Sequence, residues 1–568
     1  QVLRRTLSSQ MPDYMVPSFI VSIDKVPMTP NGKIDRRALE QIEFDASVAT
    51  EYEAPRNETE TQIAKVWQDV LKRDQVGIHD NFFDLGGHSL LATQVVTRIE
   101  QDLGKGLKVR DLFESPTVEE LAQTLEQRQQ AGDLGESSSA ASEMPIEVVS
   151  RDQQIPMSFA QQRMWFLWRM QPDSPYYNMP FAVKFSGKVS AELMSKTLTE
   201  IVRRHEVLRT TFTDKNGVME QVVHPLDRFA INQIDLSGQP SDIQEKSVLD
   251  LVNEETVKPF DLEKGPVVRV STATLSETEV VVVMIFHHIA FDGWSMGLFT
   301  NELHTIFNAF NQGESSPLEE LDVQYADFSV WNQNWMSSPQ GAAQLGYWRR
   351  HLSGVEELAL PFDRPWSEEV GNEGGNTRVS IPAELEKSLR DLARDERASL
   401  FMVMLAAYGL LLHKYSGQTD ICLGTPIANR GRSELEPIIG FFANTLALRL
   451  DVSDDLTFNE YLKQVGKAVH GAFENQDVPF ERIVDEVLPD REGGRNPIVQ
   501  GVFAMQNMEV DEVRLDGVEM SPVGGSGTGS IRFELEVHVW ESPDEMYLLI
   551  NYNKALFDQP TVDLMGQR

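Results

Sequence analysis

The sequence predicts a chain of several folding units: a short α+β segment, a small helical bundle and a large two-lobed α/β unit. Three observations predict it. At 568 residues the chain is too long for one core, given about 100–200 residues per domain. Strong helical periodicity is concentrated over 57–127. Two polar stretches, 46–56 and 128–151, set that unit apart from what lies on either side.

Residues 1–45 carry Pro12, Pro17, Pro27 and Pro30 around short β-type runs such as Phe19-Ile-Val-Ser-Ile. They are too few to bury a core, so they read as the end of a larger domain. The start, Gln1-Val-Leu-Arg-Arg, has no signal-peptide features, and the chain reads as a segment of something longer. Over 57–127, Ile63, Val66, Trp67, Val70 and Leu71 follow helical spacing with charges on the opposite face. Leu91, Val95, Arg98 and Ile99 mark a second helix and Val118 to Leu125 a third, with a long loop, Val76 to Gly87, between the first two. The linker over 128–151 contains Gly135-Glu-Ser-Ser-Ser-Ala-Ala-Ser, which has no apolar area to bury. The remainder is expected to form two lobes, 152–325 and 326–568. Met194, Leu198, Ile201, Val202 and Leu208 signal a helix there, with His205 on its apolar face as core; Val280 to Phe286 and Met546 to Tyr552 signal strands. The glycine-rich run from Gly524 is followed by no helix-opening phosphate cradle.

The composition, 41% hydrophobic and 24% charged, is that of a soluble globular protein. A formal net charge of −36 argues against nucleic acid and anionic membrane as partners. The lone cysteine, Cys422, follows an apolar stretch and reads as inert packing. It cannot form an internal disulfide or a zinc site, which fits a reducing, cytoplasmic compartment. No run of 18 or more apolar residues appears.

The segment Asp84-Leu-Gly-Gly-His-Ser89-Leu-Leu places two glycines immediately ahead of an apolar helix. Ser89 is therefore expected at a helix N-terminus, where the dipole and free amides favour a phosphate. The plainer reading is an N-cap. A hydrolase nucleophile would need Gly-x-Ser-x-Gly, and Leu91 stands where the second glycine belongs. The longer stretch Asn81-Phe-Phe-Asp-Leu-Gly-Gly-His-Ser-Leu, with Val76-Gly-Ile and Leu112-Phe113…Pro116-Thr117, resembles peptidyl carrier proteins of nonribosomal peptide synthetases. The resemblance implies a four-helix carrier bundle with 4′-phosphopantetheine attached covalently to Ser89 by a phosphopantetheinyl transferase. His88 resembles carriers that feed a condensation domain directly.

Met11-Pro-Asp-Tyr-Met-Val-Pro and Pro30-Asn-Gly-Lys33-Ile-Asp35-Arg-Arg resemble the closing motifs of adenylation domains of the same synthetases. The resemblance implies that 1–45 is the C-terminal part of such a domain and that Lys33 would stabilise developing negative charge in acyl-adenylate formation. The adenylation core would be an upstream partner, because its ATP and substrate motifs are absent here.

Val280-Val-Val-Val-Met-Ile-Phe-His287-His288-Ile-Ala-Phe-Asp292-Gly293-Trp-Ser reads as a buried strand ending in two histidines. Adjacent residues on a strand point to opposite faces, which argues against both rings binding one metal. Asp292 has two candidate tasks: orienting an imidazole, or holding the loop through an arginine. The pattern His-His-x-x-x-Asp-Gly resembles condensation domains, and further blocks follow in order: Ser158-Phe-Ala-Gln-Gln-Arg163, Arg204-His-Glu-Val-Leu-Arg209, Tyr325-Ala-Asp-Phe, Ile439-Gly-Phe-Phe-Ala-Asn444-Thr, Gln476-Asp-Val-Pro-Phe and Arg495-Asn496-Pro.

That resemblance implies two chloramphenicol-acetyltransferase-like lobes with a tunnel between them. His288 would face the tunnel, with His287 packed behind it. Asp292 would be structural, with Arg163 as a candidate partner; Gly293 would allow close backbone approach, and Asn444 would line the site from the second lobe. The reaction implied is amide formation between a donor thioester on this carrier and the amine of a downstream aminoacyl-carrier, with an L-configured donor. His288 would act as general base or only orient the amine. Epimerisation and heterocyclisation domains of the superfamily are the alternatives, the latter with aspartates where His287 and His288 stand, and a non-catalytic recruitment module is the third. Glu534 occupies a place where aspartate is common. Family members continue past the Asn551–Asp558 segment through a closing helix; this chain stops at Arg568.

Overall fold

The computed structural model describes residues 52–131 and 144–568, apart from 84, 88, 104–106, 108–110, 113–114, 368–370, 454, 489–494, 507–514, 525–528, 530 and 543–544. Lys33 and the rest of 1–45, and likewise Asp84 and His88, lie outside the described residues. The chain forms two compact units: 1–87 with 115–133, and 88–114 with 134–568.

In the first unit, the helix Glu58–Leu71 starts at Asn57, whose side chain accepts the Glu60 N–H at 2.8 Å. Its apolar stripe, with Ile63 and Trp67 fully buried, packs on the helix Val118–Ala131. The stretch expected as a loop over 76–87 is closely folded. Val76, Ile78 and Phe82 are buried, Phe82 sets its ring edge-on to Trp67 at 5.1 Å, and its N–H donates to Pro116 O at 2.8 Å. Gly87 sits against Phe82, where a Cβ would come within 2.4 Å.

The second unit includes the helix Ser89–Leu103 and two main sheets. One has five strands in the order Val518–Pro522, Asn178–Gly187, Glu279–His287, Val268–Ser276 and Ile231–Asp235. The other has six, in the order Asn444–Asp451, Asp420–Ile427, Gly501–Gln506, Leu535–Glu541, Met546–Asn553 and Gly374–Ile381. The two-lobed expectation is met with one exchange: Val518–Pro522, from beyond residue 326, joins the first sheet antiparallel to Asn178–Gly187. The Glu279–His287 strand has neighbours on both edges and every residue from Val280 to Phe286 buried, which explains its unbroken apolar run. A helix, Gln559–Gln567, follows the Asn551–Asp558 segment. Among the described residues no single helix is long and apolar enough to cross a membrane.

Candidate active site at the end of a buried strand

The Glu279–His287 strand ends in a 3-10 turn, His288–Ala290, after which Asp292 caps the helix Gly293–Asn311. The two histidines separate at this turn. His287 accepts the Ile289 N–H on Nδ1 at 3.1 Å and packs against Phe260 and Tyr177. Burial, and to a lesser degree the Arg269 guanidinium, push its pKa down to about 3, so it is a neutral structural ring.

His288 turns the other way, its ring edge-on to Phe441 of the second lobe at 4.7 Å. Its Nδ1–H donates to Phe291 O at 2.6 Å, which fixes the tautomer and leaves Nε2 as the lone-pair nitrogen. Nε2 has no hydrogen-bond partner among the described residues. Burial, then the positive charge of Arg532, hold the ring well below the ordinary histidine pKa. No group of three or more His, Cys, Asp or Glu among the described residues is placed to bind a metal.

Asp292 takes the second of its two candidate tasks, with a partner other than Arg163. Its carboxylate accepts the Ser295 N–H at 2.8 Å, the Ser295 hydroxyl at 2.7 Å and the Phe442 N–H at 3.0 Å. The arginine is Arg430, at 3.3 Å, with both side chains buried. Arg430 also donates to Leu435 O and Ile438 O and lies 4.0 Å over the Phe442 ring. Arg163, on the Phe159–Met170 helix, pairs instead with Glu481 at 3.1 Å and is one-third exposed. A fully buried carboxylate needs a partner that is itself buried, which Arg430 is and Arg163 is not.

The segment 435–442 thus passes from the second lobe onto the start of the Gly293 helix. Tyr325 OH donates to Phe441 O at 2.5 Å and accepts from Ser158 Oγ at 2.9 Å. Gly440 donates to Ser295 Oγ at 3.0 Å and lies so close to Tyr325 that a Cβ would fall 2.1 Å from its ring. Asn444 uses both ends of its amide on backbone, donating to Gln476 O and Val478 O and accepting from Phe480 N–H. It shapes the 476–480 turn rather than presenting polar atoms to a substrate. Gly293 is exposed, with no protein atom within 4 Å of where a Cβ would stand. A cavity of about 420 Å³ opens beside the strand end, lined by Asn178, Met296, Asn376, Arg532, Glu536 and Asn551 among others.

Ser89 is the first residue of its 15-residue helix. Cys422 is buried, its thiol pushed up to about 12 by burial, as expected of inert packing. Glu534 forms a two-pronged ion pair with Arg495, at 2.6 and 3.2 Å. Arg430 and Arg532 are the site residues that sequence reasoning did not single out. Arg430 lies in Ile427-Ala-Asn-Arg430-Gly-Arg, where the signal was an arginine between an apolar strand and the Ile439 block.

Residues 151–568 match the family model of the condensation domain, and 61–125 that of the phosphopantetheine attachment site. Over its full length the chain is 42% identical to part of the linear gramicidin synthase of Brevibacillus parabrevis and covers 11% of that polypeptide. It is 35% identical, again over its full length, to surfactin synthase subunit 1 of Bacillus subtilis (strain 168) and covers 15% of it. The chain thus spans a small part of the curated relatives it matches. Among solved structures, the X-domain from teicoplanin biosynthesis superposes with a TM-score of 0.67 at 26% identity, over 75% of this chain and 95% of that one. A four-domain nonribosomal peptide synthetase bound to AMP and glycine superposes with a TM-score of 0.62 at 24% identity, over 74% of this chain and 32% of that one.

Proposed function

Because this chain belongs to the condensation-domain family of nonribosomal peptide synthetases, we propose that it forms an amide between an acyl group tethered at Ser89 and the amine of a downstream aminoacyl-carrier. The observation that carries this reading is the His288 ring: neutral, locked by Phe291 O, with Nε2 directed away from that bond.

An imidazole held far below its ordinary pKa is a weak base toward an α-ammonium, whose pKa is about 8. It is suited to an amine that arrives already neutral. Nε2 accepts an N–H from that amine and so aims its lone pair at the thioester carbonyl. The N–C bond forms, the C–S bond breaks, and the amine proton passes by way of Nε2 to the departing thiolate. Orientation of this kind can account for roughly 7–11 kcal/mol of barrier. Of the two roles left open by the sequence, this one agrees with the electrostatics.

Ser89 fits the phosphopantetheine arm because it opens a helix just after Gly86-Gly87, where unpaired backbone N–H groups favour a phosphate. The arm supplies the thiol that carries the acyl group. In this reading 57–127 is the carrier, 152–568 the condensation domain, and 1–45 with Lys33 the end of an adenylation domain. An upstream adenylation core, a phosphopantetheinyl transferase and an acceptor carrier are the partners, in the cytoplasm and with an L-configured donor.

The test is a single-turnover reaction between the chain loaded at Ser89 and a loaded acceptor carrier, from pH 6 to 9. The rate should rise with the neutral fraction of the amine and level near pH 8. His288→Ala should lose about a hundredfold or more. A plateau already reached near pH 6.5, or a near-normal rate in His288→Ala, overturns this role for His288. Absence of amide product from the loaded wild-type chain overturns the function.

A further inference from the structure

His205 lies in the Arg204-His-Glu stretch, fully buried, and both of its ring nitrogens are committed. Nε2–H donates to Glu302 at 3.0 Å, and Nδ1 accepts the Ile439 N–H at 3.2 Å. Glu302 is held in turn by Arg204 at 3.3 Å, and Arg204 by Glu319 O at 2.7 Å. Ile439 directly precedes Gly440 and Phe441, the residues that touch Ser295, Tyr325 and the His288 ring.

We propose that His205 is a positioning residue for the amide-forming reaction: through Ile439 N–H it sets the 439–442 segment, and with it the face of Phe441 against which the His288 ring rests. An apolar core residue of the same size would fill the volume and leave the Ile439 N–H buried without an acceptor. Glu302 has the specific task of holding the proton on Nε2, so that Nδ1 stays a lone pair. The segment carries no other tie of this kind at its first residue, since Tyr325, Ser295 and Asp292 engage Phe441, Gly440 and Phe442. The inference rests on the proposed reaction only for its kinetic consequence; the structural link from His205 to His288 stands apart from it.

Two substitutions separate the two bonds of the ring. His205→Asn can present an oxygen where Nδ1 was and keep the acceptor for Ile439 N–H. His205→Gln can present an N–H where Nε2 was and keep the bond to Glu302, but leaves Ile439 unpaired. Chemical shift of the His288 ring in histidine-labelled protein, assigned by its loss in His288→Ala, reports the Phe441 contact without reference to activity. The expected result is a displaced His288 signal and a loss of about tenfold or more in single-turnover rate at saturating acceptor for His205→Gln. His205→Asn should keep the signal near its wild-type position and recover most of the rate, although both variants lose one buried hydrogen bond. Should His205→Gln not fold, Glu302→Leu frees the ring tautomer from the other side and should displace the same signal. Rates that follow melting temperature equally in the Asn and Gln variants, or a His288 signal unmoved in both His205→Gln and Glu302→Leu, overturn the proposal. If the wild-type chain forms no amide, the proposed function fails while the ring signal still decides this one.

Discussion

The Arg430 guanidinium meets the Asp292 carboxylate at 3.3 Å with both side chains removed from water, and this pair joins a helix of the first lobe to a loop of the second. Removing one member leaves the other charge buried alone, which typically costs about 3–5 kcal/mol. Arg430→Met is therefore expected to destabilise the chain strongly in urea unfolding, and the double variant Arg430→Met/Asp292→Asn to recover much of the loss. Arg163→Ala, which breaks a partly exposed pair with Glu481, should cost about 1 kcal/mol or less. Equal costs for Arg430→Met and Arg163→Ala would contradict the pairing.

Acid should destabilise this protein through its two adjacent histidines. His287 titrates at about 3 in the folded chain against about 6.5 when unfolded, and His288 is shifted in the same direction. Between these values the unfolded state binds more protons, so stability rises with pH. The contribution is fully present above about pH 6.5 and is lost progressively as pH falls toward 3. Urea unfolding at pH 7 and pH 5 should show a steep loss in the wild type and a shallower one in His287→Phe. An unchanged slope in that variant would mean that other groups dominate acid unfolding.

Much of this was legible in the chain because it is written locally. Ile63 and Trp67 announce a helix by their spacing, and Val280 to Phe286 announce a strand buried on both faces. What was not legible depends on contacts made far along the sequence. Asp292 has several arginines within its fold, and only packing selects Arg430, 138 residues away, over Arg163. Val518–Pro522 is short and mostly half-exposed, so its pattern carries no sign that it completes the other lobe's sheet. His205 was correctly read as core, but burial alone does not reveal that its ring carries two directed hydrogen bonds. Asn444 sits in a block that resembles a site, yet its amide is spent on its own lobe's backbone.

The 439–442 segment should be intolerant of a single added methyl. At Gly440 a Cβ would lie 2.1 Å from the Tyr325 ring, too close for any rotamer adjustment short of moving the ring or the loop. Gly440→Ala is expected to cost about 1–3 kcal/mol in stability and to depress amide formation by displacing Phe441 from His288. Tyr325→Phe keeps the ring and removes only the bond to Phe441 O, for about 1–2 kcal/mol. A Gly440→Ala chain with wild-type melting and rate would show that the segment has slack that the geometry does not provide.

Gly293 makes the opposite case. It is the first residue of the helix that Asp292 caps, five residues after His288, and its Cβ position is open. Replacing glycine by alanine in a helix is neutral or stabilising by up to about 1 kcal/mol, so folding gives no reason for glycine here. If the reacting chains run past this backbone, the added methyl stands in their way. Gly293→Ala should therefore melt at or slightly above the wild-type temperature while single-turnover amide formation falls, and Gly293→Leu should lower the rate further at unchanged stability. A Gly293→Leu chain that reacts at the wild-type rate would move the path of the substrates away from the helix N-terminus.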